Sequence, residues 1–87
     1  MDIQEIVEKL GDRENNGLSQ DEIIELCFTV IKQHQDVIEQ SRAAVILSGI
    51  VKKGLGKRTQ QFLQENPKLP EDVQNILSNA IIRMECF

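Results

Sequence analysis

Tryptophan and tyrosine are missing from this 87-residue chain, and phenylalanine occurs only three times. A core without large rings has to be built from aliphatic side chains. Cysteine is scarce too: Cys27 and Cys86 are the whole supply, too few for a disulfide framework. The longest purely apolar run, Ala43 to Leu47, is far short of the roughly 20 residues that a membrane helix needs. The opening stretch MDIQEIVEKLG is acidic and amphipathic, the reverse of a signal or transit peptide. These absences together make a reduced, cytoplasmic protein the expectation.

What is present is ordinary for a globular domain. Hydrophobic residues make up 40% and charged residues 28%, a balance that excludes disorder by composition. At this length one domain is expected, close to the size at which a single core just suffices, so self-association is a further way to gain burial. The net charge of −4 is unevenly spread. Residues 1–25 carry eight acids against Lys9 and Arg13, whereas residues 26–64 carry six bases against Asp36 and Glu39. An acidic arm and a basic middle can attract each other, within one chain or between two.

Periodicity predicts an all-α bundle of four to five helices. Ile3, Ile6, Val7 and Leu10 share one face of a helix over about 2–10. Ser19 and Glu22 form a capping box that starts a second helix at 20, running to about 34. Asp36 and Glu39 offer a weaker box for a third helix over 36–53, with one uninterrupted helix over 20–53 as the alternative. Such a helix would span roughly 50 Å and favour a dimer. In the third helix Gly49 suggests close packing, and Gly54 or Gly56 a C-terminal stop. Lys52 and Lys53 then fall in its last turn, where the helix dipole favours cations. A short helix over 57–65 is halted by Pro67, and a last one over 70–85 takes Pro70 as its first residue.

The segment VKKGLGKRT holds four of the ten basic residues within seven positions, Lys52, Lys53, Lys57 and Arg58. It is not a phosphate-binding P-loop. Leu55 stands where the lysine should follow Gly54, and Arg58 stands where a hydroxyl should follow Lys57. A helix, a glycine turn and the polar helix KRTQQFLQEN do have the outline of a helix-turn-helix. Arg58, Thr59, Gln60, Gln61 and Gln64 are types able to contact phosphates and bases. The acidity of the whole chain opposes that nucleic-acid reading.

LGDRENNGLSQDEIIEL resembles the calcium-binding EF-hand loop in two incomplete frames. Counting from Asp12 places Glu14, Asn16 and Gly17 at the third, fifth and sixth positions but leaves Ile23 at the twelfth. Counting from Gly11 puts Leu18 eighth and Glu22 twelfth but loses the first ligands. The resemblance implies a calcium-responsive helix–loop–helix as a third reading. His34, the only histidine, is expected to be exposed, and Cys27 to be a small buried hydrophobe.

No constellation of Ser/His/Asp, Cys/His or paired carboxylates suggests catalysis, and no cofactor or metal is implied. The expected function is a non-enzymatic regulatory or adaptor protein that binds another protein, itself a homodimer. Its candidate contact residues are Lys52, Lys53, Lys57, Arg58 and Gln61 in the basic segment, with Ile82 and Phe87 at the C-terminal end. Helix two and the last helix carry more apolar surface than a single core stripe requires, which is the reason for expecting an interface.

Overall fold

In the computed structural model, which describes residues 2–85, helix formation follows local capping chemistry almost from the first residue. Helix α1 (Ile3–Gly11) starts at Asp2, whose Oδ1 accepts the Glu5 amide at 2.9 Å. The loop after it is tied back by Asn16, whose Nδ2 donates to the carbonyls of Asp12 and Lys9 at 3.0 and 3.4 Å. Helix α2 (Gln20–Gln33) opens on the predicted capping box, with both Ser19–Glu22 bonds present at 3.2 Å.

The uninterrupted helix over 20–53 does not form. The chain breaks at His34–Asp36, and Asp36 caps α3 (Val37–Ser48) by accepting the Ile38 amide at 2.9 Å. Glu39 does not complete a box there; it pairs with Arg42 instead. The corner is held by a residue that sequence reasoning passed over. Gln40 is buried, and its Nε2 donates at 2.9 Å to the Ile31 carbonyl, one of the orphan acceptors at the end of α2.

Three sequence-based expectations about the next corner are corrected. Helix α3 stops at Ser48 rather than 53, because the amides of Gly49 and Ile50 close tight turns onto Ile46 and Leu47. The Lys52 amide then donates to the Met84 carbonyl at 3.1 Å, which carries the strand of chain across to the last helix. Lys52 and Lys53 therefore lie beyond α3, outside its last turn. Gly49 is exposed and makes no close helix contact.

Gly54, at φ 87°, begins α4 (Leu55–Glu65) two residues ahead of the expected start, and Gly56 lies in its first turn. Helix α5 (Glu71–Glu85) follows Pro70, whose carbonyl accepts the Gln74 amide, so Pro70 precedes the helix rather than opening it.

The five helices contain no strand among the described residues, and none is long and apolar enough to cross a membrane. Helix α3 lies between α2 and α5; α1 packs on α2 and α4 on α5. The radius of gyration is 12.1 Å, and the molecule is a flattened body of 29 × 29 × 17 Å. Its core is aliphatic as expected, built on Val30, Ile31, Leu47, Val73, Leu77 and Met84. Among the described residues one aromatic pair, Phe28 and Phe62, stands between α2 and α4 with ring centroids 4.8 Å apart.

Candidate interaction surface

The basic segment is brought against the acidic arm of the same molecule. Lys52 pairs with Asp21, and Nη2 of Arg58 reaches both carboxylate oxygens of Glu25, at 2.7 and 2.5 Å. The Arg58 guanidinium also lies 4.6 Å from the centre of the Phe28 ring, where a planar cation is attracted to the ring face. The attraction between arm and middle anticipated from charge is thus intramolecular. Two of the four clustered cations are occupied in holding α4 and its preceding loop to α2.

A third carboxylate arrives from the far end of the chain. Helix α4 has no capping side chain of its own, since Gly54 provides none. Glu85, on the last turn of α5, supplies it: its two oxygens accept the Gly54 and Lys57 amides at 3.2 and 3.0 Å. These backbone bonds, from Lys57 first and Gly54 second, hold the Glu85 carboxyl below the usual glutamate range. The approach is possible only because residue 56 is glycine. A Cβ there would lie 2.5 Å from both the Ile81 carbonyl oxygen and Glu85 Cγ.

The helix-turn-helix outline fares accordingly. The connection between α3 and α4 runs over residues 49–54, and α4 packs on α5. Thr59, one of the expected contact types, is fully buried and donates to the Met84 sulfur at 3.4 Å. Lys53, Lys57 and Gln61 remain exposed. Gln61 borders a polar cleft between α2 and α4 together with Arg58 and Phe62. Ile82 is 80% exposed on α5, and Phe87 lies outside the described residues.

The loop that resembles a calcium site spends its ligands on itself. Glu22 caps α2, Asp12 Oδ1 accepts from Asn15 Nδ2 at 2.6 Å, and Asn16 Nδ2 donates to the Asp12 and Lys9 carbonyls at the end of α1. Among the described residues no three His, Cys, Asp or Glu side chains are grouped as metal ligands. His34 is half-buried rather than exposed, with Nδ1 accepting the Asp36 amide at 3.0 Å in the α2–α3 corner. Cys27 is buried as expected, and burial pushes its thiol pKa up to about 12.

The surface with the clearest apolar character was not singled out from the sequence. Helix α3 turns Gln40, Ala43, Ala44 and Leu47 to the core, yet its opposite side is also apolar. Val37, Ile38 and Val45 are 42%, 59% and 57% exposed. With Ser41 and Ile46 they line a shallow groove of about 540 Å³, bounded by Arg42 and by Asp72 of α5. The signal was present in the VIEQSRAAVILS segment, where apolar residues fall on every side of the helix rather than on one stripe. No family model matches the chain, and neither the curated proteins nor the solved structures contain a match to it.

Proposed function

We propose that the protein is a small, non-enzymatic regulatory or adaptor module that binds another protein through the outward face of α3. The observation that carries this reading is the exposed Val37–Ile38–Val45 surface on a helix whose other side is already fully used by the core. Grouped aliphatic side chains on one groove, with few polar atoms among them, favour removal from water by a complementary surface. In the basic segment Lys52 and Arg58 are paired with Asp21 and Glu25, while Lys53 and Lys57 stay exposed. On this reading the contact surface lies on α3 rather than on α4.

The test is site-directed photocrosslinking in cells that make the protein. A photoreactive side chain at position 45 is expected to give a covalent adduct with a polypeptide, and the same group at position 60, on exposed α4, is expected to give none. Val45→Glu should abolish an adduct formed from position 38. No adduct from either α3 position, or equal labelling from position 60, rejects the reading.

A further inference from the structure

We infer that Asn16 is a site of spontaneous covalent modification, cyclising onto the Gly17 amide, and that its conversion to aspartate or isoaspartate unfastens α1. The inference is independent of the α3 surface. Asparagine is a chemically labile side chain, and its reaction requires attack by the backbone nitrogen of the next residue. That nitrogen needs open space around it and an N–H that is not firmly held. Of Asn15, Asn16, Asn66, Asn75 and Asn79, only Asn16 precedes a glycine. Asn66 precedes Pro67, whose nitrogen carries no hydrogen. Asn75 and Asn79 lie inside α5, where the amides that follow them are tied into the helix. The Asn16 amide, which would have to attack Asn15, donates to the Asp12 carbonyl at 3.1 Å. The Gly17 amide makes the longest backbone bond of this loop, 3.3 Å to the Glu14 carbonyl, past the ordinary range. Both Asn16 and Gly17 are exposed, and a Cβ added at Gly17 would meet nothing within 4 Å, so water and base reach the nitrogen.

The reaction consumes only water. The Gly17 nitrogen gives its proton to solvent hydroxide and forms a bond to Asn16 Cγ. The Cγ–Nδ2 bond breaks, and Nδ2 takes a proton from water and leaves as ammonia. Water then opens the cyclic imide. Cleavage of the bond from Cγ to the ring nitrogen restores the peptide, with aspartate at position 16. Cleavage at the backbone carbonyl of residue 16 leaves isoaspartate, with the chain running through Cβ and Cγ. Nothing is oxidised or reduced; an amide nitrogen is exchanged for oxygen.

The side chain that reacts is the one that ties the loop to α1. Its Nδ2 donates to the Asp12 and Lys9 carbonyls at 3.0 and 3.4 Å. Fraying at this end of α1 frees the amide, so cyclisation does not require global unfolding. Afterwards the donor is gone, and a carboxylate stands by two acceptor oxygens at the C-terminal end of a helix, where the dipole disfavours negative charge. Helix α1 packs on α2 and brings Ile6 and Leu10 to the core. A weakened end of α1 loosens that contact first and leaves the packing of α5 on α3 and α4 in place.

The experiment is incubation of the full folded chain at mildly alkaline pH, read by peptide mass mapping and by an isoaspartate-specific methyltransferase. The mass gain of NH2 replaced by OH is expected in the peptide that holds Asn16, with isoaspartate present, while Asn15, Asn75 and Asn79 stay amides. Asn16→Gln, whose longer side chain cyclises poorly, should abolish it. Hydrogen exchange then compares the aged chain and Asn16→Asp with the fresh chain. Amides of α1 should exchange about tenfold faster in both, the scale of a lost hydrogen bond, with those of α5 unchanged. If circular dichroism shows that Asn16→Asp does not fold, the aged chain alone carries the comparison. An Asn16 that outlasts the incubation as an amide overturns the site, and its reaction in urea alone would show that the fold protects it. Reaction of another asparagine ahead of Asn16 overturns the site as well. Complete modification with α1 exchange unchanged, or with equal acceleration in α5, overturns the unfastening.

Discussion

Gly56 sets how close α4 and α5 can come, and its neighbour Gly49 sets nothing comparable. Replacing Gly56 by alanine forces a methyl group against the Ile81 carbonyl oxygen, a backbone atom that cannot swing aside. A loss of about 1–3 kcal/mol is expected, the range for overpacked interiors, read from urea unfolding midpoints. Gly49→Ala meets nothing nearer than 3.6 Å and its φ is −87°, so it should be neutral or stabilise by about 0.4–1 kcal/mol. Equal destabilisation by the two would contradict this contrast. Sequence reasoning assigned the close approach to the wrong glycine, because both stand beside apolar helix residues and only the fold shows which has α5 against it. Cys27 gives a second residue-scale test. With its thiol pKa raised to about 12, it should resist alkylation at neutral pH in a Cys86→Ser background until the chain unfolds.

At the scale of elements, what could be read from the sequence was whatever depended on near neighbours. Ser19 and Glu22 are three residues apart, and the start of α2 follows from them alone. Asp36 likewise marks the start of α3. The end of α3 could not be read in the same way, because the partner of the Lys52 amide is Met84, and α4 is capped by a carboxylate from another helix. Gln40 is an intermediate case. Its partner Ile31 is nine residues away, across a turn whose geometry has to be known before the bond can be drawn. Gln40→Met keeps the bulk but removes the donor, leaving the Ile31 carbonyl without that partner in a buried corner. A cost of about 1–3 kcal/mol is expected, together with faster amide exchange in the last turn of α2. Unchanged stability and exchange would show that the bond does not hold the corner.

For the whole molecule, carboxylates add polar ties between distant parts of the chain that the apolar core also joins. Glu85 and Glu22 both have carboxyl groups held below the ordinary glutamate range by hydrogen bonds that exist only in the folded state, chiefly from backbone amides. A carboxyl whose folded pKa is depressed contributes its full stabilisation above the unfolded value and loses it as pH falls through the folded value. The urea midpoint should therefore be level near neutrality and decline below about pH 4.3. Glu85→Gln and Glu22→Gln should each lower the neutral midpoint and make the acid decline shallower; parallel curves for variant and unaltered chain would refute the linkage. The flattened shape of the body is the whole-molecule fact behind the α3 surface. In a body 17 Å thick, α3 has α2 and α5 beside it, and among the described residues Val37, Ile38 and Val45 on its outer side stay exposed.

The Glu85 cap also has a consequence for the order in which the chain can take shape during synthesis. The amide that it receives, that of Gly54, leaves the ribosome 31 residues ahead of it. Until residue 85 emerges, the start of α4 has no carboxylate to quiet its free amides, and Gly54 can supply none. The first two helices, with their caps drawn from adjacent residues, face no such delay. A nascent chain halted before residue 85 would have the local caps of α1 and α2 in place but an α4 whose first turn still lacks its carboxylate, waiting for the last turn of α5 to close it.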